Sequence, residues 1–270
     1  AEREGRAALE RAGDDAWGLH AVAHVYDMTA RNETGIAWLT SRTGTWEHCN
    51  NFGYHVWWHL GLFHLDRREY ERVLELYDTR IRAEHTDDYR DIANAASMLV
   101  RLELEGVGVG DRWEELAELA AGRVEDGSVI FADLHYLLAL NGGGRTAEAE
   151  TLIARIAADA QHATHDMHEV AAVAGLPTAV GLAAFRAGNY RLAFEKLRAA
   201  RPRLQRAGGS HAQRDVFSRL LIEAGIRARR WGEAEAELRD RAFRRGAEDG
   251  FTHRRLAAIA RARQAALATG

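Results

Sequence analysis

Apolar residues recur along most of the chain at the three- to four-residue spacing of amphipathic helices. No stretch alternates apolar and polar residues for long enough to indicate a sheet. Only 2 prolines interrupt the chain, whereas Ala, Leu, Glu and Arg form long runs. These residues favour helix, so the pattern predicts an all-α protein.

An internal repeat organises the predicted helices. One copy covers Gly181–Leu197, and a second begins at Trp57 and passes through Leu60, Gly61 and Tyr70. Both copies fit the 34-residue tetratricopeptide pattern, in which a small residue lets two helices approach closely. Weaker copies turn at Arg31-Asn32, Asp111-Arg112-Trp113, Gly143-Gly144-Arg145 and Arg229-Arg230-Trp231. The turns are about 33 to 44 residues apart, a period typical of helical-hairpin repeats.

The repeat register divides the chain into first and second helices of successive hairpins. First helices are predicted near 15–29, 51–66, 88–105, 128–141, 166–187 and 211–228. Second helices are predicted near 33–42, 69–84, 112–125, 146–161, 190–207 and 231–245, and a capping helix near 251–267. Since no Pro/Gly/Ser-rich linker interrupts the series, we predict a single helical-repeat domain over 1–270. The predicted fold is a tetratricopeptide-like α-solenoid of about six antiparallel hairpins, with a concave groove lined mainly by first helices.

Composition narrows the class of protein. The chain has 270 residues, a net charge of −4 and 47% hydrophobic residues, as expected of a globular protein. Its 1 cysteine excludes a disulfide framework and a multi-cysteine zinc site. No apolar run approaches 18 residues and no signal peptide is visible, so we expect a cytoplasmic protein without a membrane partner. Residues 201–270 are basic, but not enough to favour nucleic acid as a partner.

Histidine is over-represented, with 13 in the chain and six of them between His20 and His64. His20 and His24 are four residues apart, as are His55 and His59, and residues at that spacing share a helix face. Two such pairs on adjacent helices could supply three or four nitrogen ligands to a divalent, zinc-like metal. The alternative is that these imidazoles form hydrogen bonds with backbone, Asp27 or Asn51.

Other polar residues also fall on predicted first helices. The candidate ligand-binding residues are Trp58, Asn51, Asp91, Asn94, Arg101 and Arg214. The candidate catalytic residues are His211, Asp215 and His135, since imidazole transfers protons near neutral pH and a carboxylate can orient it. His64 is out of phase with His55, and His162, His165 and His168 are predicted to be solvated.

Four sequence blocks resemble the tetratricopeptide repeat protein 38 family, as a bacterial-type member or a fragment lacking the usual N-terminal region. The blocks are His20–Met28, Asn51–His64, Asp133-Leu-His135 and Gly209–Phe217. The resemblance implies an α-helical repeat protein, usually cytoplasmic, with no defined biochemical role. Members usually have a further helical region before the first block, where this chain has 19 residues. A fragment, a short member and one part of a larger assembly therefore remain open.

Three functions compete at this point. The first is a binding protein whose groove, lined with His, Trp and Arg, holds a peptide, a protein or a small molecule. The second is an enzyme acting on a small molecule, with groove histidines as metal ligands or as acid and base. The third is a structural module for homo-oligomerisation. The fold alone does not choose among them, because repeat folds host many functions.

Overall fold

The computed structural model describes residues 1–163 and 166–268, and these residues form helices and turns without a strand. The predicted all-α class is confirmed. Each predicted helix overlaps a helix of the structure. In chain order the α-helices of the structure are α1 (Glu2–Arg11), α2 (Ala16–Met28), α3 (Asn32–Thr40), α4 (Thr43–Trp46), α5 (Asn50–Asp66), α6 (Tyr70–Leu76), α7 (Tyr89–Leu104), α8 (Arg112–Ala121), α9 (Ile130–Gly142), α10 (Thr146–Asp159), α11 (His168–Val170), α12 (Leu176–Arg186), α13 (Tyr190–Ala200), α14 (His211–Arg227), α15 (Trp231–Arg245) and α16 (Gly250–Ala268).

Three non-α helical segments extend or join four of these helices. A π-helical turn, Tyr77–Ile81, continues α6, and a 3₁₀ segment, Arg201–Ala207, continues α13. A second π-helical turn, Ala171–Gly175, joins α11 to α12. With these turns included, the second and fifth hairpins have about the helix lengths that the repeat register predicts.

Two helices, α1 and α4, were not predicted. Gly5 is the only buried residue of α1, and Leu9 is its only large apolar residue, so the helix gives a weak hydrophobic signal. Its contact with α2 is made through glycine: a Cβ atom on Gly5 would lie 2.6 Å from the carbonyl oxygen of Gly18. The same Cβ atom would lie 2.7 Å from the Val22 side chain, so the contact on the α1 side depends on small residues, which leave little hydrophobic pattern in the sequence. Helix α4 is a single turn of 4 residues.

A common turn ends the first helix of each hairpin in the described residues. One residue takes a left-handed conformation, and the next residue donates its N–H to a carbonyl five positions earlier. Arg145, for example, donates to the Leu140 carbonyl at 2.9 Å across Gly144, whose φ is 71°. This hydrogen bond belongs to the Schellman motif, which stops a helix and reverses the chain. The left-handed residues are Ala30, Arg68, Gly106, Gly144, Gly188 and Arg229.

The chain divides into two compact units: Ala1–Thr86 with Leu238–Gly270, and Asp87–Glu237. We call them unit 1 and unit 2. The proposal of a single domain concerns the two together and stays a prediction. In unit 1, α2 packs against α1, α3 and α5, and α5 also packs against α6.

Two carboxylates, the half-buried Asp66 and the buried Asp249, fix the start of the C-terminal helix of unit 1. Asp66, which ends α5, accepts hydrogen bonds from the N–H groups of Gly250 and Phe251, each at 3.1 Å. These N–H groups belong to the first turn of α16, where a helix lacks internal acceptors. Arg241 forms a bidentate ion pair with Asp249 at 2.8 and 2.9 Å, just before α16. The start of α16 is therefore held by Asp66 through its backbone N–H groups and by the Arg241–Asp249 ion pair just before it.

The first helices of unit 2 close into a ring. Helix α7 packs against α9 and α14, and α12 packs against the same two helices. The second helices lie against this ring, with α8 and α10 on α9 and α13 on α12 and α14. Hairpin repeats bring consecutive first helices together, but the α7–α14 contact joins helices that are far apart in sequence. Arg101 supports it by donating to the Ala212 carbonyl oxygen at 2.7 Å.

One helix in the described part of the chain, His168–Arg186, is long and apolar enough to cross a membrane. Its 18-residue window reaches a mean hydropathy of 1.3 because it is rich in Ala, Val and Leu. Polar residues interrupt the window, so no continuous apolar run predicted it. Core helices pass the same test, and α12 packs against α9, α10 and α13 within unit 2. Of the window, 44% is buried in the structure, so its length and composition are weak evidence for a membrane span.

Gly181 tests the close approach of α12 and α13. A Cβ atom on Gly181 would lie 2.7 Å from the Leu197 side chain and 3.2 Å from its backbone nitrogen. Gly→Ala normally stabilises a helix interior, but here overpacking should dominate and lower the free energy of unfolding by about 1–3 kcal/mol. Urea denaturation of Gly181→Ala measures this. Gly108→Ala is the control, because nothing lies within 4 Å of its Cβ position; a similar loss in both variants would contradict the packing argument.

Candidate functional site

Four histidines from two helices of unit 1 meet at one point. Helix α2 begins at Ala16 because the Asp15 carboxylate accepts hydrogen bonds from the N–H groups of Trp17 (3.1 Å) and Gly18 (3.0 Å). This start places His20 and His24 on the side of α2 that packs against α5. Helix α5 carries His55 and His59 on the facing side. The predicted pairs therefore come together, and we call these four residues the histidine cluster.

Distances within the histidine cluster are short. The Nε2 atom of His20 lies 3.1 Å from Nε2 of His59 and 3.0 Å from Nε2 of His55. One nitrogen from each of the four rings can be chosen so that all four lie within 4.8 Å of one another. The rings meet edge to face, with the centroids of His24 and His59 4.4 Å apart at 77°. Such edge-to-face packing brings ring nitrogens together instead of stacking the ring faces.

His20 Nε2 has more ring nitrogens within hydrogen-bond distance than it can bond to at once. A neutral ring nitrogen is either one donor or one acceptor. His20 Nε2 faces two other Nε2 atoms at hydrogen-bond distance, and it can form one good bond with only one of them. A cation between the rings would accept a lone pair from each nitrogen at once. The geometry therefore fits metal ligation better than a chain of His–His hydrogen bonds.

Burial keeps the centre of the cluster neutral. His59 is fully buried and His20 is 9% exposed, whereas His24 and His55 are half-buried. Desolvation, with repulsion from His24 and His55, lowers the pKa of His20 to about 2. A neutral imidazole is the form that binds a metal. One side of the cluster is thus enclosed by protein, and the side of His24 and His55 is nearer to solvent.

Aromatic rings surround the cluster. Trp58, a predicted ligand-binding residue, is fully buried and stacks on His55 at 5.4 Å and 17°. It thereby helps to fix the orientation of that imidazole. Phe52 lies edge to face with His20 at 5.1 Å, and Trp17 lies against Phe52 at 4.4 Å while remaining 68% exposed. The sequence analysis missed Trp17 and Phe52, although each precedes a cluster histidine by three residues and so shares its helix face.

Asn51 and Asp27 are polar residues close in sequence to the cluster histidines. Asn51 is half-buried on α5, one turn before His55. Asp27 pairs with Arg245, whose guanidinium lies 3.3 Å from Asp27 Oδ1 and also donates to the Asp27 carbonyl oxygen. This ion pair ties α2 to α15 within unit 1. A ligand role for Asn51 stays a prediction.

Three further candidate ligand-binding residues lie inside the ring of unit 2. Asp91, Asn94 and Arg101 are each at most 2% exposed. Arg101 donates to the carbonyl oxygens of Ser97 (2.9 Å) and Ala212 (2.7 Å), and Asn94 accepts from Gln213 at 3.3 Å. These residues contact backbone and neighbouring helices in the packed interior. Their predicted contact with a ligand stays a prediction.

The candidate catalytic residues do not form a constellation. His211, the first residue of α14, is exposed, and Asp215 forms an ion pair with Arg219 at 2.8 Å. His135 is buried and its Nδ1 donates to the Phe131 carbonyl oxygen at 2.7 Å. No hydrogen bond or ion pair joins these three residues, all within the described part of the chain.

Arg214 contacts the turn that precedes its own helix. Its guanidinium donates to the Gly208 carbonyl oxygen at 2.9 Å and to that of Gly209. Burial lowers the pKa of this guanidinium. Arg214 thus stabilises the start of α14, and its binding of a ligand carboxylate or phosphate stays a prediction.

Three further described histidines, His64, His162 and His168, make contacts outside the cluster. His64 pairs with Glu69, out of phase with His55 as expected. His162 is exposed, as predicted, and donates to the Ala158 carbonyl oxygen. His168 is half-buried, where a solvated residue was predicted. His165 lies outside the described residues.

Family models and solved structures give no match from which a function could be assigned. No family model matches the chain, and no solved structure matches it. The resemblance to the tetratricopeptide repeat protein 38 family therefore stays a prediction. The assignment of function depends on the geometry of the site.

His135 predicts a specific dependence of stability on pH. Burial lowers its pKa from 6.5 to about 4, so the unfolded chain takes up a proton at a higher pH than the folded one. Its contribution to stability is complete above pH 6.5 and is lost as the pH falls towards 4. When the pH falls from 7 to 5, the free energy of unfolding should decrease in both proteins, and the decrease should be about 2 kcal/mol smaller in His135→Gln than in the unsubstituted protein.

Urea denaturation at the two pH values, followed by circular dichroism in the presence of a chelator, measures this difference. His211→Gln is the control, since His211 is exposed, and it should follow the unsubstituted protein. An equal loss of stability in His135→Gln and the unsubstituted protein would refute the assignment.

Proposed function

We propose that this protein binds one divalent, zinc-like metal ion through His20, His24, His55 and His59. One observation carries the proposal: a nitrogen from each of the four rings lies within 4.8 Å of the other three. Imidazole nitrogen suits zinc and other divalent transition metals. Helix α2 carries two of the ligands and helix α5 carries the other two, and ligands on regular elements are held more precisely than ligands on loops.

The spacing of the nitrogens supports tetrahedral coordination. Zn–N bonds of about 2.0–2.1 Å place the ligands of a tetrahedron about 3.3 Å apart. The Nε2 separations of 3.1 Å (His20–His59) and 3.0 Å (His55–His20) are close to that value. His24 completes the set, with a ring nitrogen within 4.8 Å of the chosen nitrogens of the other three.

A catalytic role for the metal is the second candidate. Uneven burial favours it, because His20 and His59 are enclosed whereas His24 and His55 lie nearer to solvent. Catalytic zinc keeps three protein ligands and one position for water, whose pKa the metal lowers. In that state His24 or His55 would leave the metal and act on a bound small molecule. Hydrolysis is the reaction class that such a site serves most directly.

We also propose the fold arrangement, the location and the partners that the sequence predicts. The six similar turns support a tetratricopeptide-like arrangement of hairpins with a capping helix, extended by the local ring in unit 2. We further propose a cytoplasmic protein, related to the tetratricopeptide repeat protein 38 family, that holds a peptide, protein or small molecule. A second copy of the chain remains a candidate partner, and neither nucleic acid nor a membrane is proposed.

Metal binding is tested by adding Zn²⁺ or Co²⁺ to chelator-treated protein. We expect one ion per chain, visible absorption bands typical of tetrahedral Co²⁺, and a rise in thermal stability with metal concentration. His24→Gln and His55→Gln, at half-buried positions, should each weaken binding by on the order of 100-fold, because each removes one ligand.

The matched control is His64→Gln, on the same helix as His55 but paired with Glu69. It should bind metal as the unsubstituted protein does, and so should His253→Gln, whose side chain is 62% exposed. Absence of stoichiometric binding, or equal weakening in the control and cluster variants, would overturn the proposal. Circular dichroism of each variant shows whether a loss of binding reflects misfolding.

A further inference from the structure

Unit 2 has a second candidate site, at the end of its ring where the four first helices stop. A cavity of about 520 Å³ lies there, within the range of pockets that hold small organic ligands. Each of the four helices supplies one leucine to its wall. These are Leu104 of α7, Leu138 of α9, Leu182 of α12 and Leu220 of α14. The cavity thus has an apolar floor, and none of the residues predicted from the sequence to bind ligand lines it.

Aromatic side chains form part of the wall. Trp113, Phe185 and Tyr190 line the cavity. Trp113 is 5% exposed, and its indole N–H donates to the Glu103 carboxylate at 2.9 Å. Tyr190 lies edge to face with Phe185 at 5.4 Å. Rigid aromatic rings around an aliphatic floor favour a ligand with apolar side chains.

Two charged residues at the cavity lack a charged partner. Glu103 and Arg186 line the cavity and are exposed, and neither forms an ion pair with another described residue. A third charge, on Arg227, is already used: its guanidinium lies 3.0 Å from Glu223 and donates to the Tyr190 hydroxyl at 3.2 Å. The cavity therefore offers one carboxylate and one guanidinium to a ligand.

The carboxylate and the guanidinium lie on opposite sides of the ring. Glu103 is on α7 and Arg186 is on α12, and each of these helices packs between α9 and α14. With neighbouring helices about 8–10 Å apart, opposite axes are about 11–14 Å apart. A peptide of two or three residues extends about 7–10 Å, and the Glu and Arg side chains cover the remainder. A single amino acid would be too short to reach both.

We propose that this cavity binds a short apolar peptide with free termini, two or three residues long. The ammonium group of the peptide pairs with Glu103, and its carboxylate forms a bidentate pair with Arg186. The apolar side chains of the peptide cover the four leucines. This site is separate from the histidine cluster and does not depend on the proposed metal.

The probe is the dipeptide Leu-Leu, titrated calorimetrically into the metal-free protein, with intrinsic tryptophan fluorescence, to which Trp113 contributes, as a second signal. We expect saturable binding at one site per chain. Glu103→Gln and Arg186→Gln should each weaken binding about 10-fold or more, because each removes a charge-assisted hydrogen bond. Glu118→Gln and Arg203→Gln, exposed positions of unit 2 outside the cavity, are the matched controls and should have no effect.

Blocking each peptide terminus assigns the pairing. N-acetyl-Leu-Leu should bind about 10-fold more weakly than Leu-Leu, and Glu103→Gln should not weaken it further. Leu-Leu-amide should show the same relation to Arg186→Gln. No binding of Leu-Leu, equal affinity for the blocked peptides, or tighter binding of a simple fatty carboxylate would overturn the proposal. His24→Gln should bind Leu-Leu normally, which distinguishes failure of this site from failure of the metal site.

Discussion

A left-handed residue after each first helix is the local constraint on which the rest of the structure depends. The residue sits where the helix stops, and the next N–H bonds back across it, so the chain reverses within a few residues. Because each second helix returns the chain, consecutive first helices run in the same direction. Side chains at the same level of successive first helices can then meet. The histidine cluster and the cavity of unit 2 both follow from this alignment.

The two units treat polar groups between packed helices in different ways. In unit 2 the buried Arg101 guanidinium donates to the carbonyl oxygens of Ser97 and Ala212, so its hydrogen bonds support ring closure. Buried polar groups are costly unless they are bonded. In unit 1 the imidazoles of His20, His55 and His59 face one another instead. Neutral imidazoles cannot all satisfy each other in that arrangement, and the four rings together could hold a metal ion.

Particular residues explain how far the sequence could be interpreted. Helices that belong to the repeat, such as α5 and α14, were found near their observed limits, whereas α1 precedes the first predicted hairpin and contains one large apolar residue, Leu9. The pairing of His20 and His24 with His55 and His59 followed from their four-residue spacing and the adjacency of two first helices. Asp91 and Arg101 were correctly placed on first helices, but the closure of α7 on α14 buries them. Closure depends on contacts between distant segments, which helical periodicity does not record.

By itself the sequence determined the helices, their pairing into hairpins and the two histidine pairs, since all of these depend on residues within one or two turns of each other. Only the tertiary structure decided that four nitrogens converge to within 4.8 Å, and that Glu103 and Arg186 face one cavity without charged partners. The physical reason is distance along the chain. Local patterns fix which face of a helix is polar, but the packing of remote helices fixes what that face meets.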